Sequence, residues 1–359
     1  MAIFSSGKSR LTATLAVSIA ATALIAGCSS PGSASPEEGN GGGGGTPSIG
    51  VAEINLSLPF FVQMQEASEA IADDYGVDVN WQSVDGSIEK QISTIESFIA
   101  QQKDVILIDP VNADALVDVI NRATEAGIDV VTMGNKVGGD ENHNTLYPDY
   151  DNWVQQARIL GNAIGGEGKV LFLIGSVGNY VSDTRQEAFE TTMAEEFPDV
   201  QVITQPTDFD SSKAGSVTQT VLTNNPDLAG VASISDGLTL PAIKVAEQAG
   251  LDIPFVSNDG DESVYDYIDS GRVLSNVLTG SYRVGAWNTA VAARLALGSE
   301  FDVDLFMPTY TIAAEDSAKL IADSGVEVET VTTDEAREIA QDYVAEFGAD
   351  VTDADMTVG

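Results

Sequence analysis

The regular alternation of short β-branched runs with longer amphipathic segments, which begins at Ser48, limits this chain to few folds. Residues 105–109 form a near-continuous apolar run, as expected of a strand buried on both faces. Residues 88–102 place four isoleucines on one face of a helix. Because this pattern continues along the chain, it predicts an α/β protein with parallel sheets wrapped by helices.

An internal similarity predicts two such sheets rather than one. Residues 105–136 and 231–260 each carry a strand, a helix, an Ala-Gly-aliphatic-Asp step and a second strand with a polar end. The glycine of that step is typical of a helix C-terminus. We therefore expect two similar lobes that face each other. In open α/β sheets ligands bind beyond the carboxyl ends of the strands, so a binding cleft is expected between the lobes.

The first 28 residues predict a secretory signal. Lys8 and Arg10 precede an apolar run, residues 11–26, which is short for a membrane span of about 20 residues. The segment ends at Cys28, the one cysteine of the chain, and its last four residues resemble a bacterial lipobox with Ile25 in place of the commoner Leu. That resemblance implies a lipid anchor on Cys28; an ordinary cleaved signal with a chance cysteine is the alternative.

Residues 29–46 are rich in Ser, Pro, Gly and Glu and predict a flexible tether. Signal, lipidated cysteine and tether together predict a protein held at the outer face of a bacterial cell membrane. The remaining chain is divided into an N-terminal lobe, residues 47–147 and 280–307, and a C-terminal lobe, residues 148–279 and 308–359. The last part of the second lobe is a C-terminal extension to which we assign no role, with a helix expected over residues 334–347.

The composition excludes several classes of function. The net charge is −39, and it is −41 without residues 1–28, which contain Lys8 and Arg10 but no Asp or Glu. Such a charge disfavours nucleic acid and anionic ligands. One histidine and one cysteine cannot form a His/Cys zinc site or a Cys–His nucleophile. Neither a phosphate-binding loop nor a Gly-x-Ser-x-Gly motif is present. We therefore expect no enzyme, no metal and no cofactor.

Polar and aromatic residues at the predicted strand ends suit a neutral polyhydroxylated ligand. Aromatic faces cover the C–H surfaces of such a ligand, and planar Asp, Asn and Arg groups bind neighbouring hydroxyls. The candidates are Phe60, Phe61, Asn135, Arg185, Phe209, Ser235, Asp236 and Asp259. Five of them also have a named structural alternative: core packing for Phe60 and Phe61, a polar turn for Asn135, a surface ion pair for Arg185 and a helix cap for Asp236.

An ordered series of motifs resembles the ribose/galactose-type sugar-binding proteins of ABC transporters, which have the type I periplasmic binding protein fold. The resemblance covers residues 48–305 and rests on INLSLPFF (54–61), ILIDP (106–110), TRQEAF (184–189), QPTDFD (205–210), NPD (225–227), SNDG (257–260) and SGRVL (270–274). It implies two lobes that close on a ligand about a three-strand hinge, near residues 146–150, 278–280 and 307–311.

Position by position, the resemblance implies that Phe60, Phe61 and Phe209 sandwich a sugar while Arg185 and Asp259 bind its hydroxyls. Asn135 falls where the family carries a polar pair. Leu58, Ser235 and Thr279 stand where ribose binders carry Asn, Asn and Gln, which argues against ribose itself. By its position, Thr279 is also a ligand-binding candidate.

The partners implied are a monosaccharide or polyol, the permease subunits of an ABC importer and the membrane, with the protein itself a monomer. Two alternatives stay open: a nucleoside or signalling molecule as ligand, and presentation of the ligand to a receptor instead of a permease. A transcription regulator of this fold is disfavoured by the N-terminal signal and the absence of a helix-turn-helix segment.

Overall fold

The computed structural model describes residues 45–56, 59–139 and 141–357. The predicted signal with Cys28, and nearly all of the predicted tether, lie outside these residues. The strands are β1 (Ser48–Glu53), β2 (Asp78–Ser83), β3 (Val105–Ile108), β4 (Asp129–Met133), β5 (His143–Leu146), β6 (Glu167–Ile174), β7 (Asp199–Pro206), β8 (Leu228–Ser233), β9 (Phe255–Asn258), β10 (Val273–Leu278), β11 (Asp304–Phe306), β12 (Tyr310–Ile312) and β13 (Thr330–Val331).

The helices follow the strands in alternation. They are α1 (Pro59–Tyr75), α2 (Ile88–Ala100), α3 (Ala113–Glu125), α4 (Asp149–Ala163), α5 (Tyr180–Glu196), α6 (Ser211–Asn224), α7 (Asp236–Gln248), α8 (Tyr265–Asp269), α9 (Ser281–Ala296), α10 (Glu315–Asp323), α11 (Thr333–Gln341) and α12 (Tyr343–Phe347). Short polar side chains begin several of them: Ser87, Asn112 and Asn179 each accept a hydrogen bond from a backbone N–H of the first turn.

The strands form two sheets, as the sequence predicts. The first has the order β11-β5-β4-β3-β1-β2 and the second the order β13-β12-β10-β9-β8-β6-β7. All pairings are parallel except that of β10 with β12. All four residues of β3 are buried, in accord with its place inside a parallel sheet that is covered on both faces. The predicted α/β fold with two helix-covered sheets is confirmed.

The chain passes between the two sheets at the three predicted places and at a fourth. Residues 147–148, 279–280 and 307–309 join strands and helices of different sheets. The fourth passage is at Asp342, because Ala336 of α11 is buried in the core cluster of the second sheet while Phe347 of α12 is buried in that of the first. The expectation of three connecting segments is therefore corrected to four.

The final segment corrects a second expectation. We call residues 343–357 the C-terminal strap. Phe347 and Met356 of the strap are fully buried in the core cluster that contains β1, α1 and α9 residues, and not in the cluster of the second sheet. The strap therefore packs on the first sheet's side, whereas residues 308–359 were all expected on the second. Gly45–Gly359 form one compact unit that is not divided further, so the remaining boundaries between the two lobes stay a prediction.

The contact between α1 and α9 depends on a glycine. A Cβ atom at Gly285 would lie 2.1 Å from the main-chain oxygen of Met64. We expect Gly285→Ala to lower the free energy of unfolding by about 1–3 kcal/mol, since the helices must move apart. Gly215→Ala is the matched control: its Cβ would meet Pro241 at an ordinary 3.6 Å, and alanine there should stabilise α6 by up to about 1 kcal/mol. Denaturant unfolding measures both, and equal effects would contradict the close approach.

Candidate ligand-binding site

Arg185 is the buried cation of a polar cluster at the carboxyl edge of the second sheet. Its Nε donates to Asp149 Oδ1 at 2.8 Å, and its Nη1 donates to the carbonyl of Ile234 at 2.6 Å. The same Nη1 lies 4.0 Å from Asp259 Oδ1. The structure therefore brings the predicted pair Arg185 and Asp259 together. Arg185 is 4% exposed, which disagrees with the surface ion pair considered for it.

Asp259 is held in an unusual backbone conformation by its neighbours. Its φ is +116°, a conformation that costs free energy for a residue with a side chain. Its Oδ2 accepts hydrogen bonds from Ser235 Oγ at 2.8 Å and from the backbone N–H of Asp236 at 3.2 Å. Its own carbonyl accepts from the N–H of Gly280 at 2.8 Å. Ser235 and Asp259 thus form one unit, and this unit is tied to the connection at residues 279–280.

Asp236 is engaged within the protein. Its Oδ2 accepts from the N–H of Asp261 at 2.9 Å, and its Oδ1 accepts from Asn276 Nδ2 at 2.7 Å. Burial raises its pKa well above the ordinary value, and the negative charge of Asp259 raises it further. Neither oxygen caps α7, so the helix cap considered for Asp236 is not formed. Because both oxygens already accept hydrogen bonds from a neighbouring loop and strand, Asp236 holds these segments in place and has no oxygen left without a partner for a ligand.

Asn135 joins the two sheets. Its Nδ2 lies 3.3 Å from Asp109 Oδ1, and its Oδ1 accepts a hydrogen bond of 2.7 Å from Asn179 Nδ2. Asn135 follows β4 of the first sheet, whereas Asn179 begins α5 beside the second. A hydrogen bond therefore runs between the two sides, and the simple polar turn considered for Asn135 does not describe its contacts.

Glu53 and Asp109 form a buried carboxyl pair at the ends of β1 and β3. The two strands are parallel and in register, with Ala52 opposite Ile108, so these residues are neighbours on one edge. Glu53 is fully buried, and its Oε2 has no hydrogen-bond donor among the described residues. Burial, and then the charge of Asp109, raises the pKa of Glu53 well above its ordinary value, while burial raises the pKa of Asp109 to about 6. The pair therefore retains a proton more readily than isolated carboxyls do.

Tyr147 lies where the groups of both sheets meet. A Cβ at Gly134 would lie 3.4 Å from its ring, so the ring covers the backbone just before Asn135. Burial raises the pKa of Tyr147, and the negative charges of Asp149 and Asp109 raise it further. Acidic groups from both sides therefore surround this residue. It begins the first connection between the sheets.

The three aromatic residues predicted to contact the ligand differ in their exposure to solvent. Phe60 and Phe61 are half-buried, contact each other edge to face at 5.6 Å and pack against the first sheet's core. Phe209 is 44% exposed, has a φ of +56° and lies over Gly175, whose Cβ would be 2.2 Å from its ring. Phe209 is thus partly exposed to solvent, while Phe60 and Phe61 pack in part against the core.

Thr279 is buried and belongs to the second connection, where its carbonyl accepts a hydrogen bond of 3.2 Å from Arg283. Leu58 lies outside the described residues. Among the residues that the structure describes, no group of three His, Cys, Asp or Glu side chains is arranged to hold a metal ion. Two surface depressions of about 580 Å³ each lie elsewhere and include none of the site residues.

Sequence reasoning missed four residues of this site: Glu53, Asp109, Tyr147 and Asp149. Glu53 and Asp109 each end an apolar strand, which is the same signal that pointed to Asp259. Tyr147 and Asp149 follow β5 in a stretch without a distinctive pattern, and their role depends on how the chain passes between the sheets.

Comparison with known proteins gives consistent matches. The family model described as periplasmic binding protein domain matches residues 49–300. The ribose import binding protein RbsB of Escherichia coli is 26% identical over 266 residues, 72% of this chain and 88% of that protein. The xylitol-binding protein of Mycolicibacterium smegmatis is 25% identical over 274 residues, 75% of this chain and 77% of that protein.

A solved structure matches the fold. The periplasmic solute binding protein of an ABC transporter from Actinobacillus succinogenes, with bound D-allose, superposes with a TM-score of 0.71. Its identity is 22%, and the match covers 76% of this chain and 100% of that one.

Proposed function

This chain belongs to the periplasmic binding protein domain family, and from that premise we propose that it is the solute-binding component of an ABC importer for a monosaccharide or polyol. Its relatives include proteins named for ribose import and xylitol binding. The family and these relatives are binding proteins, so the chain is a binding protein and not an enzyme. The ligand would be captured between the two lobes.

One observation carries the proposal: polar groups of both sheets converge around Tyr147, and a buried oxygen there, Asp149 Oδ2, lacks a donor among the residues the structure describes. A buried acceptor without a donor costs about 1–3 kcal/mol, so a hydroxylated ligand that donates to this oxygen would gain affinity. Phe209 would cover the apolar side of the same ligand.

The charges of the site favour a neutral ligand. Five carboxyl groups, those of Glu53, Asp109, Asp149, Asp236 and Asp259, accompany the guanidinium of Arg185. Hydroxyl groups both donate to carboxylates and accept from a guanidinium, whereas a phosphate or carboxylate ligand would be repelled. This supports a polyhydroxylated molecule over an anionic one.

A thermal-shift panel of pentoses, hexoses, polyols and nucleosides, followed by calorimetry, tests the proposal. A ligand at about 100 times its dissociation constant should stabilise the protein by about 2.7 kcal/mol. The phosphorylated form of whichever sugar or polyol binds is the matched probe of the charge argument, and it should bind more weakly than the neutral molecule. If no sugar or polyol raises the melting temperature, the proposed ligand class is contradicted.

We propose further that the protein is extracytoplasmic and anchored by a lipid on Cys28, a residue that lies outside the described part of the chain. Among the described residues no helix has the length and apolar character to cross a membrane. The support is the charged start, the apolar run and the cysteine that follows it. Permease subunits would be the membrane partners, with the binding protein itself a monomer.

Cys28→Ser tests the anchor. The variant should move from the membrane fraction of the host to the soluble extracytoplasmic fraction, because the acylated thiol is lost. Ser29→Ala, next to it, should leave the protein with the membrane. Continued membrane association of Cys28→Ser would contradict lipid anchoring.

A further inference from the structure

The C-terminal strap, residues 343–357, lies beyond the part of the chain that matches the family model, yet it is firmly attached to the first sheet's side. Trp287 Nε1 donates to the carbonyl of Met356 at 2.8 Å. The Tyr75 hydroxyl lies 3.1 Å from the carbonyls of both Phe347 and Gly348. Because Phe347 and Met356 are fully buried, the strap is part of the folded protein.

Arg283 of α9 links the strap to two of the connections between the sheets. Its Nε donates to Glu346 Oε2 of the strap at 2.8 Å, and its Nη2 donates to Glu346 Oε1 and to the carbonyl of Pro308. Its Nη1 lies 3.3 Å from the carbonyl of Leu278 and 3.2 Å from that of Thr279. The five N–H groups of a guanidinium thus find five acceptors, on the strap and on the connections at 279–280 and 307–309.

The guanidinium is also enclosed. Arg283 is fully buried, and its Cζ lies 4.9 Å from the ring centre of Tyr310 and 5.7 Å from that of Phe347. Among the described residues, Glu346 is its ion-pair partner. A buried cation that loses its counter-charge is strongly disfavoured, so the position of Arg283 depends on Glu346.

The second connection leads directly to the candidate site. Gly280, next to Thr279, donates its N–H to the carbonyl of Asp259 at 2.8 Å. Asp259 has the unfavourable φ of +116° described above and needs such contacts to keep it. A chain of contacts therefore runs from Glu346 through Arg283 and the connection at 279–280 to Asp259.

We propose that Glu346 is a positioning residue for ligand capture: through Arg283 it fixes the connections at 279–280 and 307–309, and with them the placement of Asp259. The consequence for ligand binding rests on the proposed function, whereas the effect on the connections does not.

The strap provides its own matched control. Arg294, also on α9, pairs with Asp353 of the strap and donates to the strap carbonyls of Gly348 and Val351. Within the part of the chain that the structure describes, Arg294 bonds to Tyr75 and the strap but to neither connection. Glu346→Gln and Asp353→Asn therefore each remove one strap carboxylate from an arginine of the same helix, but only the first acts on the connections.

Hydrogen exchange of the full chain without ligand tests the positioning. We expect Glu346→Gln to accelerate exchange of the Gly280 and Met307 amides at least tenfold, while Asp353→Asn changes it less than twofold. Glu346→Asp, which keeps the charge, should restore slow exchange in part. Equal acceleration in both variants, or none in Glu346→Gln, would overturn the proposal.

Calorimetry tests the consequence with any sugar or polyol that the panel identifies. Glu346→Gln should raise the dissociation constant of that molecule at least tenfold, and Asp353→Asn should raise it less than twofold. Equal increases in the two variants would overturn the proposal. If no sugar or polyol in the thermal-shift panel binds, that result would count against the proposed function alone, since the exchange measurement needs no ligand.

Discussion

Arg185→Ala is expected to lower the free energy of unfolding by about 3–5 kcal/mol and to abolish measurable ligand binding. The substitution leaves the buried carboxylate of Asp149 without its ion-pair partner, and removal of one member of a buried pair is strongly destabilising. It also removes the guanidinium beside Asp259, which would bind ligand hydroxyls through charge-assisted hydrogen bonds. Chemical unfolding and calorimetry measure the two effects.

Arg158→Ala is the matched control for this substitution. Arg158 pairs with Glu196 on the outside of the same lobe, and both side chains are more than a third exposed. An exposed pair contributes about 0–1 kcal/mol, so the control should lose little stability and no ligand affinity. A double variant, Arg185→Met with Asp149→Asn, keeps the volume and removes both charges; if it folds stably but still binds the ligand normally, the site assignment is wrong.

Glu53→Gln is expected to stabilise the protein at neutral and alkaline pH by about 1–3 kcal/mol and to flatten its pH dependence. The pKa values of Glu53 and Asp109 are raised in the folded state, chiefly by burial. The native protein therefore holds more protons than the unfolded chain above pH ~4, and its stability falls as the pH rises through about 6 and beyond. A glutamine amide at position 53 would donate to Asp109 and remove the repulsion.

Melting temperatures of the wild type and Glu53→Gln between pH 4 and 9 measure this effect. The two curves should approach each other at the acid end, where the pair is protonated, and separate above it. Asp109→Asn removes the other carboxyl group and should also reduce the pH dependence of the melting temperature between pH 4 and 9. The double variant Glu53→Gln/Asp109→Asn should therefore differ little from either single variant in this respect. A constant difference between the curves at every pH would contradict the shared proton.

Sequence reasoning located most of the fold because the alternation of strand and helix is a local pattern. It also predicted that Arg185, Ser235 and Asp259 lie close together, since the carboxyl ends of adjacent parallel strands meet at one edge of the sheet. Applied consistently, the same rule would have added Glu53 and Asp109. The role given to Phe60 and Phe61 came from a resemblance, and the surface they bury against the core was not readable from the motif.

The contacts of the C-terminal extension could not be predicted in the same way. Helical spacing suggested one helix over residues 334–347, but the helix is interrupted at Asp342, where the chain changes sides. The partner of Glu346 is an arginine 63 positions away on α9, and no periodicity identifies such a pair. The link between Asn135 and Asn179 has the same origin, because it depends on how two separate sheets are placed.

A crystal structure of the protein with the sugar or polyol found in the panel tests the central claim most directly. We predict that the ligand lies between the two lobes, with hydroxyls on Arg185 and Asp259 from one side and on Asp109 or Asn135 from the other, and with Phe209 against its apolar face. A ligand bound elsewhere, or contacting only one lobe, would contradict capture between the lobes.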